Sequence, residues 1–108
     1  MVILYVDLLR DRIITCIVTS GAKDKNKTLG CHFKTQRFFV NESQKIFDRD
    51  TYIELLRLRE WKYTEFEAEI GKTVNFKFCI PKQVMEEIKK CLKKLQKDIP
   101  LEYLSIIE

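Results

Sequence analysis

Residues 81–100 constrain the fold more than any other stretch. Pro81 offers a helix start at which its missing N–H costs nothing, and Pro100 closes the segment. Between them Val84, Ile88, Cys91, Leu92 and Leu95 recur at spacings of four, three, one and three, the stripe of an amphipathic helix. The opposite side carries Lys82, Lys89, Lys90, Lys93, Lys94 and Lys97, with Glu86 and Glu87 nearer the start, and acid first with base last suits the helix dipole. A one-sided helix needs an apolar surface to cover. The rest of the chain has to supply it.

Strands are the obvious source. Residues 2–8 and 12–19 are rich in Val, Ile, Tyr and Thr, which suit a pleated surface, and the short polar Leu9-Arg10-Asp11 between them predicts an N-terminal hairpin. In the second arm Ile14, Cys16 and Val18 point one way and Ile13 and Ile17 the other, so both faces are apolar and the strand belongs inside the sheet. Residues 20–27 read as a loop. Residues 28–40 read as one long strand with a bulge or bend at 35–37, where alternation fails before Phe38-Phe39. Asn41 with Gln44 resembles a capping box, so residues 42–59 are expected to be helical. Residues 61–70 and 74–80 alternate apolar with polar, which predicts a hairpin around a three-residue loop, 71–73, pairing Phe66 with Phe78 and Ala68 with Phe76.

The resulting order, βββαββα, predicts an α+β two-layer fold, a mostly antiparallel sheet of about five strands packed on one face by two helices. The chain has 108 residues, enough for one compact domain and too few for two ordinary ones. Residues 101–108 are unexpectedly apolar for a terminus, so this tail is expected to dock on the core or on a partner.

Localisation follows from what the chain lacks. Its longest apolar runs fall far short of the roughly 18–20 residues a membrane helix requires. The run of residues 2–6 lacks the flanks of a secretion signal, and Cys16, Cys31, Cys79 and Cys91 form no Cys-x-x-Cys pair. A cytoplasmic or nuclear protein with reduced thiols, not a secreted one, is expected.

Catalytic chemistry finds little material. The chain has one histidine, His32, and strand neighbours point to opposite faces, so Cys31 and His32 do not make a nucleophile and base pair. Glu60-x-Lys62 with Asp48 and Asp50 has the form used by metal-dependent nucleases, but so common a tripeptide marks a solvated surface more often than a site. No phosphate-cradling glycine loop occurs. No catalytic, metal or cofactor residue is assigned, and no cofactor is expected.

Two binding readings remain. The net charge is +4 and evenly divided between the halves of the chain, which permits an anionic partner without demanding one. The leading expectation is a small non-catalytic interaction or regulatory domain that works through protein contacts and self-associates as a homo-oligomer. Its interface residues would be Phe38, Trp61, Tyr63, Tyr103, Leu104, Ile106 and Ile107. The alternative is an RNA or single-stranded DNA binding module using a basic loop and strand face, Lys23, Lys25, Lys27, His32, Lys34 and Arg37, with Lys90, Lys93, Lys94 and Lys97 from the last helix.

Overall fold

The computed structural model describes residues 1–20, 26–72 and 79–107. Strand β1 (Val2–Asp7) turns through residues 8–11 into β2 (Arg12–Ser20), with Asp11 in the left-handed region at φ 52°. Strands β3 (Gly30–His32) and β4 (Arg37–Val40) form a second hairpin, and β5 (Thr51–Trp61) follows. Helix α1 (Tyr63–Glu69), helix α2 (Lys82–Lys94) and two 3-10 segments, Gln96–Asp98 and Leu101–Ile107, complete the described chain. The sheet is antiparallel with strand order β1-β2-β5-β4-β3. This is the expected two-layer α+β fold around a five-stranded antiparallel sheet, with β2 inside it as its two apolar faces require, but the expected order βββαββα is not met, because the five described strands all precede α1 and α2.

The last helix finds its surface. Leu4, Ile14, Cys16, Ile53 and Leu55 from the sheet meet Ile88 and Leu92 of α2, Leu95 at its C-cap and Ile106 of the tail in one core, each Leu or Ile contributing about 1.5–3 kcal/mol by its burial. Ile106 is 1% exposed, so the tail docks on its own chain. The opposite face of the sheet is covered as well. Phe39 stacks on Tyr52 at 4.9 Å, His32 meets both rings edge-on, and Trp61 meets Phe66 of α1 edge-on at 6.0 Å.

Three expectations are corrected. Residues 28–40 are two short strands around a reversal at residues 33–36, closed by the Gln36 N–H donating to the Phe33 carbonyl at 3.3 Å with Gln36 at φ 59°. Phe38 and Phe39 are adjacent because β4 is buried on both faces. Residues 42–59 are not a helix. The capping box forms, with Asn41 Oδ1 accepting from Gln44 N at 3.2 Å and Asn41 N donating to Gln44 Oε1 at 3.0 Å, yet it starts only one 3-10 turn. Lys45 at φ 57° ends that turn, and residues 51–61 enter the sheet between β2 and β4. Pairing on both sides outweighs the helix preference of Leu, Glu and Arg. Finally, the first arm of the expected second hairpin is mostly α1. Asp11 caps it from outside, accepting from Thr64 N at 2.8 Å and Thr64 Oγ1 at 3.0 Å. Most of the other arm, residues 74–80, lies outside the described residues, while Cys79 and Ile80 are in no strand.

Candidate nucleic-acid interface

The expected protein-contact residues are drawn into the chain's own packing. Phe38 and Ile106 are buried in the core, and Tyr103, Leu104 and Ile107 pack half-buried against it. Trp61 is half-buried, its Nε1 donating to Thr15 Oγ1 at 3.0 Å and the Arg59 guanidinium lying 3.9 Å over its ring. Tyr63, also half-buried, opens α1, its backbone N–H donating to the Asp11 carbonyl at 3.1 Å. Arg12 lies 5.5 Å over the Tyr103 ring and is hydrogen-bonded to Glu60 and to the Glu102 carbonyl. Burial, then the charges of Glu102 and Glu60, raise the Tyr103 phenol above its usual pKa, against the opposing pull of Arg12.

The expected basic residues divide in two. Lys23 and Lys25 lie outside the described residues. Lys27 is 3.9 Å from Asp50 and spreads over Phe39 and Tyr52 at 5.4 and 5.5 Å. Arg37 pairs with Glu54 at 2.9 Å, and Glu54 also accepts from Thr19 Oγ1 at 3.1 Å. His32 faces the interior and not solvent. It is 7% exposed, with Nε2 at the Thr28 carbonyl and the rings of Phe39 and Tyr52 closing over the face expected to be wet. These charges serve the sheet's second face.

Lys34, Lys90, Lys93, Lys94 and Lys97 are different. All five are exposed, and among the described residues no ion pair engages them. What joins them is a disulfide between Cys31 of β3 and Cys91 of α2, with Cα atoms 5.7 Å apart. The expectation of four reduced thiols is therefore corrected for this pair. On α2, Lys90 precedes Cys91 and Lys94 lies one turn after it; on the sheet, Phe33 and Lys34 follow Cys31 into the exposed turn, Phe33 being 54% exposed. The bridge ties the strand that leads into this turn to α2 at a residue flanked by Lys90 and Lys94. Such a surface can contact phosphates with its ammonium groups and offer a ring to a base.

The nuclease-like residues do not gather. Asp50 precedes β5 and accepts from Glu42 N at 2.9 Å, whereas Glu60 stands near the far end of that strand, paired with Arg12. Asp48 lies beside Arg49 at 3.7 Å, and Lys62 immediately precedes α1. Among the described residues no three His, Cys, Asp or Glu side chains are grouped to hold a metal ion, and no helix is long and apolar enough to cross a membrane. A shallow cleft of about 600 Å³ opens between Arg10, Arg12, Glu60, Leu101, Leu104 and Ser105. Beside it, the β1–β2 turn holds Leu9 100% exposed, and Leu101 is 87% exposed.

In comparisons with known proteins, the chain matches no family model, no curated protein and no solved structure. The site therefore rests on its own geometry.

Proposed function

We propose that this chain is a non-catalytic module that binds RNA or single-stranded DNA in the cytoplasm or nucleus. The observation that carries the reading is the Cys31–Cys91 bond, which ties the strand before the exposed Phe33-Lys34 turn to α2 between the exposed Lys90 and Lys94. Lys93 and Lys97 continue the positive surface, and their ammonium groups lack carboxylate partners among the described residues. Displacing counterions from a phosphate chain is the main source of affinity for such a surface, while Phe33 adds stacking without base selectivity.

Anisotropy titration of a labelled mixed-sequence oligonucleotide tests this. With five lysines engaged, log K is expected to fall against log salt with a slope of about −3.5. Reversing three charges together (Lys90→Glu, Lys93→Glu, Lys94→Glu) is expected to weaken low-salt binding by more than about tenfold. Absence of binding at low salt overturns the proposal.

A protein partner is the second reading, favoured by the leucine-bearing end. Leu101 stands nearly bare at a cleft that it lines with Arg10, and Leu9, next to Arg10 in the chain, is wholly exposed; exposed apolar groups near arginine suit a protein contact, including one with a second copy. Sedimentation of the wild type and of Leu9→Asp separates the two: a dimer dispersed by the substitution supports this reading, and a strict monomer in both removes the self-association.

A further inference from the structure

Strand β3 is a short edge strand whose anchor on the sheet is His32, buried against Phe39 and Tyr52. It is three residues long and, among the described residues, pairs only with β4. Its apolar flanks, Leu29 and Phe33, are exposed and add little burial. Helix α2 is anchored independently through Ile88 and Leu92 and through Leu95 at its C-cap. The disulfide is the one cross-link between sheet and helix among the described residues, and its partners differ in access, Cys31 being exposed and Cys91 buried. We infer that Cys31–Cys91 is a redox-sensitive strap: oxidised, it assembles the basic surface, and reduced, it releases the Phe33-Lys34 turn from α2 and lowers affinity for a phosphate chain. This inference rests on the nucleic-acid reading above.

The chemistry balances with a dithiol reductant. One of its thiolates attacks Sγ of Cys31, the more exposed residue of the pair, the S–S bond breaks as a mixed disulfide forms there, and Cys91 leaves as a thiolate that takes up a proton. The second thiolate of the reductant displaces Cys31, which takes the other proton. Two electrons and two protons pass from the dithiol, now a cyclic disulfide, to two protein thiols. Where glutathione and thioredoxin keep thiols reduced, a disulfide that persists at all is usually a transient or sensing one, which suits a strap of this kind.

The experiment titrates the same single-stranded oligonucleotide with oxidised protein and with protein reduced by dithiothreitol, and counts thiols by the mass of alkylated adducts. Reduction is expected to raise Kd about fivefold and to shrink the salt slope by about 0.7, the share of one phosphate contact on a single strand. Cys31→Ser is expected to hold the weaker value with and without dithiothreitol. Hydrogen exchange of the amides of Gly30–His32 should quicken on reduction, while those of residues 88–92 stay protected, which separates release of the turn from loss of the fold. Equal Kd and slope in both states, with reduction verified by mass, overturn the strap and leave the nucleic-acid reading standing. So do four free thiols in protein purified without reductant, or loss of protection in α2. No binding in either state overturns the nucleic-acid reading itself, and the strap with it.

Discussion

Cys16 and Cys79 are both free thiols, and their surroundings set them apart. Cys79 is exposed, whereas Cys16 is wholly buried between β1 and β5, and that burial pushes its pKa from 9.0 up to about 12. The direction fixes how stability responds to pH. Below pH 9 the thiol is protonated in folded and unfolded chains alike, and its contribution is fully present. Above pH 9 the unfolded chain gives up this proton and the folded one keeps it, so stability falls until about pH 12. The loss approaches about 4 kcal/mol at the upper end, from about 1.4 kcal/mol for each pKa unit. Urea midpoints measured from pH 8 to 11 should therefore decline more steeply for the wild type than for Cys16→Ala; parallel declines would place the effect on other groups. The burial of Cys16 is legible in the sequence, because Ile14, Cys16 and Val18 share one face of a patterned strand. The Cys31–Cys91 bridge is half legible: Cys31 falls on the Leu29 and Phe33 side of its strand and Cys91 on the apolar stripe of its helix. Which strand lies under that helix is set by sheet order, and local pattern does not carry it.

Among elements, α2 is the one that sequence describes best. Its stripe, its proline start and its basic side all stand where the spacing puts them, because an amphipathic helix is specified by its own residues. Elements specified by distant partners are harder to read. Strand β5 carries a period of two in Leu56-Arg57-Leu58-Arg59, but the cap at Asn41 and the helix-favouring composition of residues 42–59 obscure it. The strand is also irregular, advancing five residues from Ile53 to Leu58 while β2 advances two, from Val18 to Cys16, and such a break erases a continuous alternation. Helix α1 depends on a residue far back in the chain. Asp11 supplies the acceptor that a Ser, Thr or Asp at the N-cap would ordinarily provide, since Lys62 at that position makes no side-chain cap. Asp11→Ala is expected to cost about 1 kcal/mol and to speed amide exchange across residues 63–69, with little change in α2. Unchanged exchange in α1 would show that packing of Phe66 alone holds this helix.

At the scale of the molecule, the tail is part of the core. Ile106 fills a position among residues of α2 and the sheet, and Arg12 grips the Glu102 carbonyl and the Tyr103 ring. Deleting residues 101–108 is accordingly expected to lower the stability of the chain by about 2–5 kcal/mol, the range for emptying a core position, with no change in oligomeric state by sedimentation. A truncated chain of undiminished stability that has lost an oligomeric form would return the tail to the role of an interface. The sequence identifies this segment as apolar and in need of cover, and the choice between self and partner follows only from packing. The sheet order has a consequence for how the chain comes together. Strand β5 is the last of the five to be synthesised, yet it lies between the two hairpins and hydrogen-bonds to both. Until it emerges from the ribosome, the β1–β2 and β3–β4 hairpins have no shared neighbour, and two-stranded hairpins alone are marginal in water. Assembly is thus a late, long-range closure, the kind of step that limits folding rate in sheets of high contact order. A pause that keeps residues 51–61 inside the ribosome would leave the other four described strands as two unjoined hairpins.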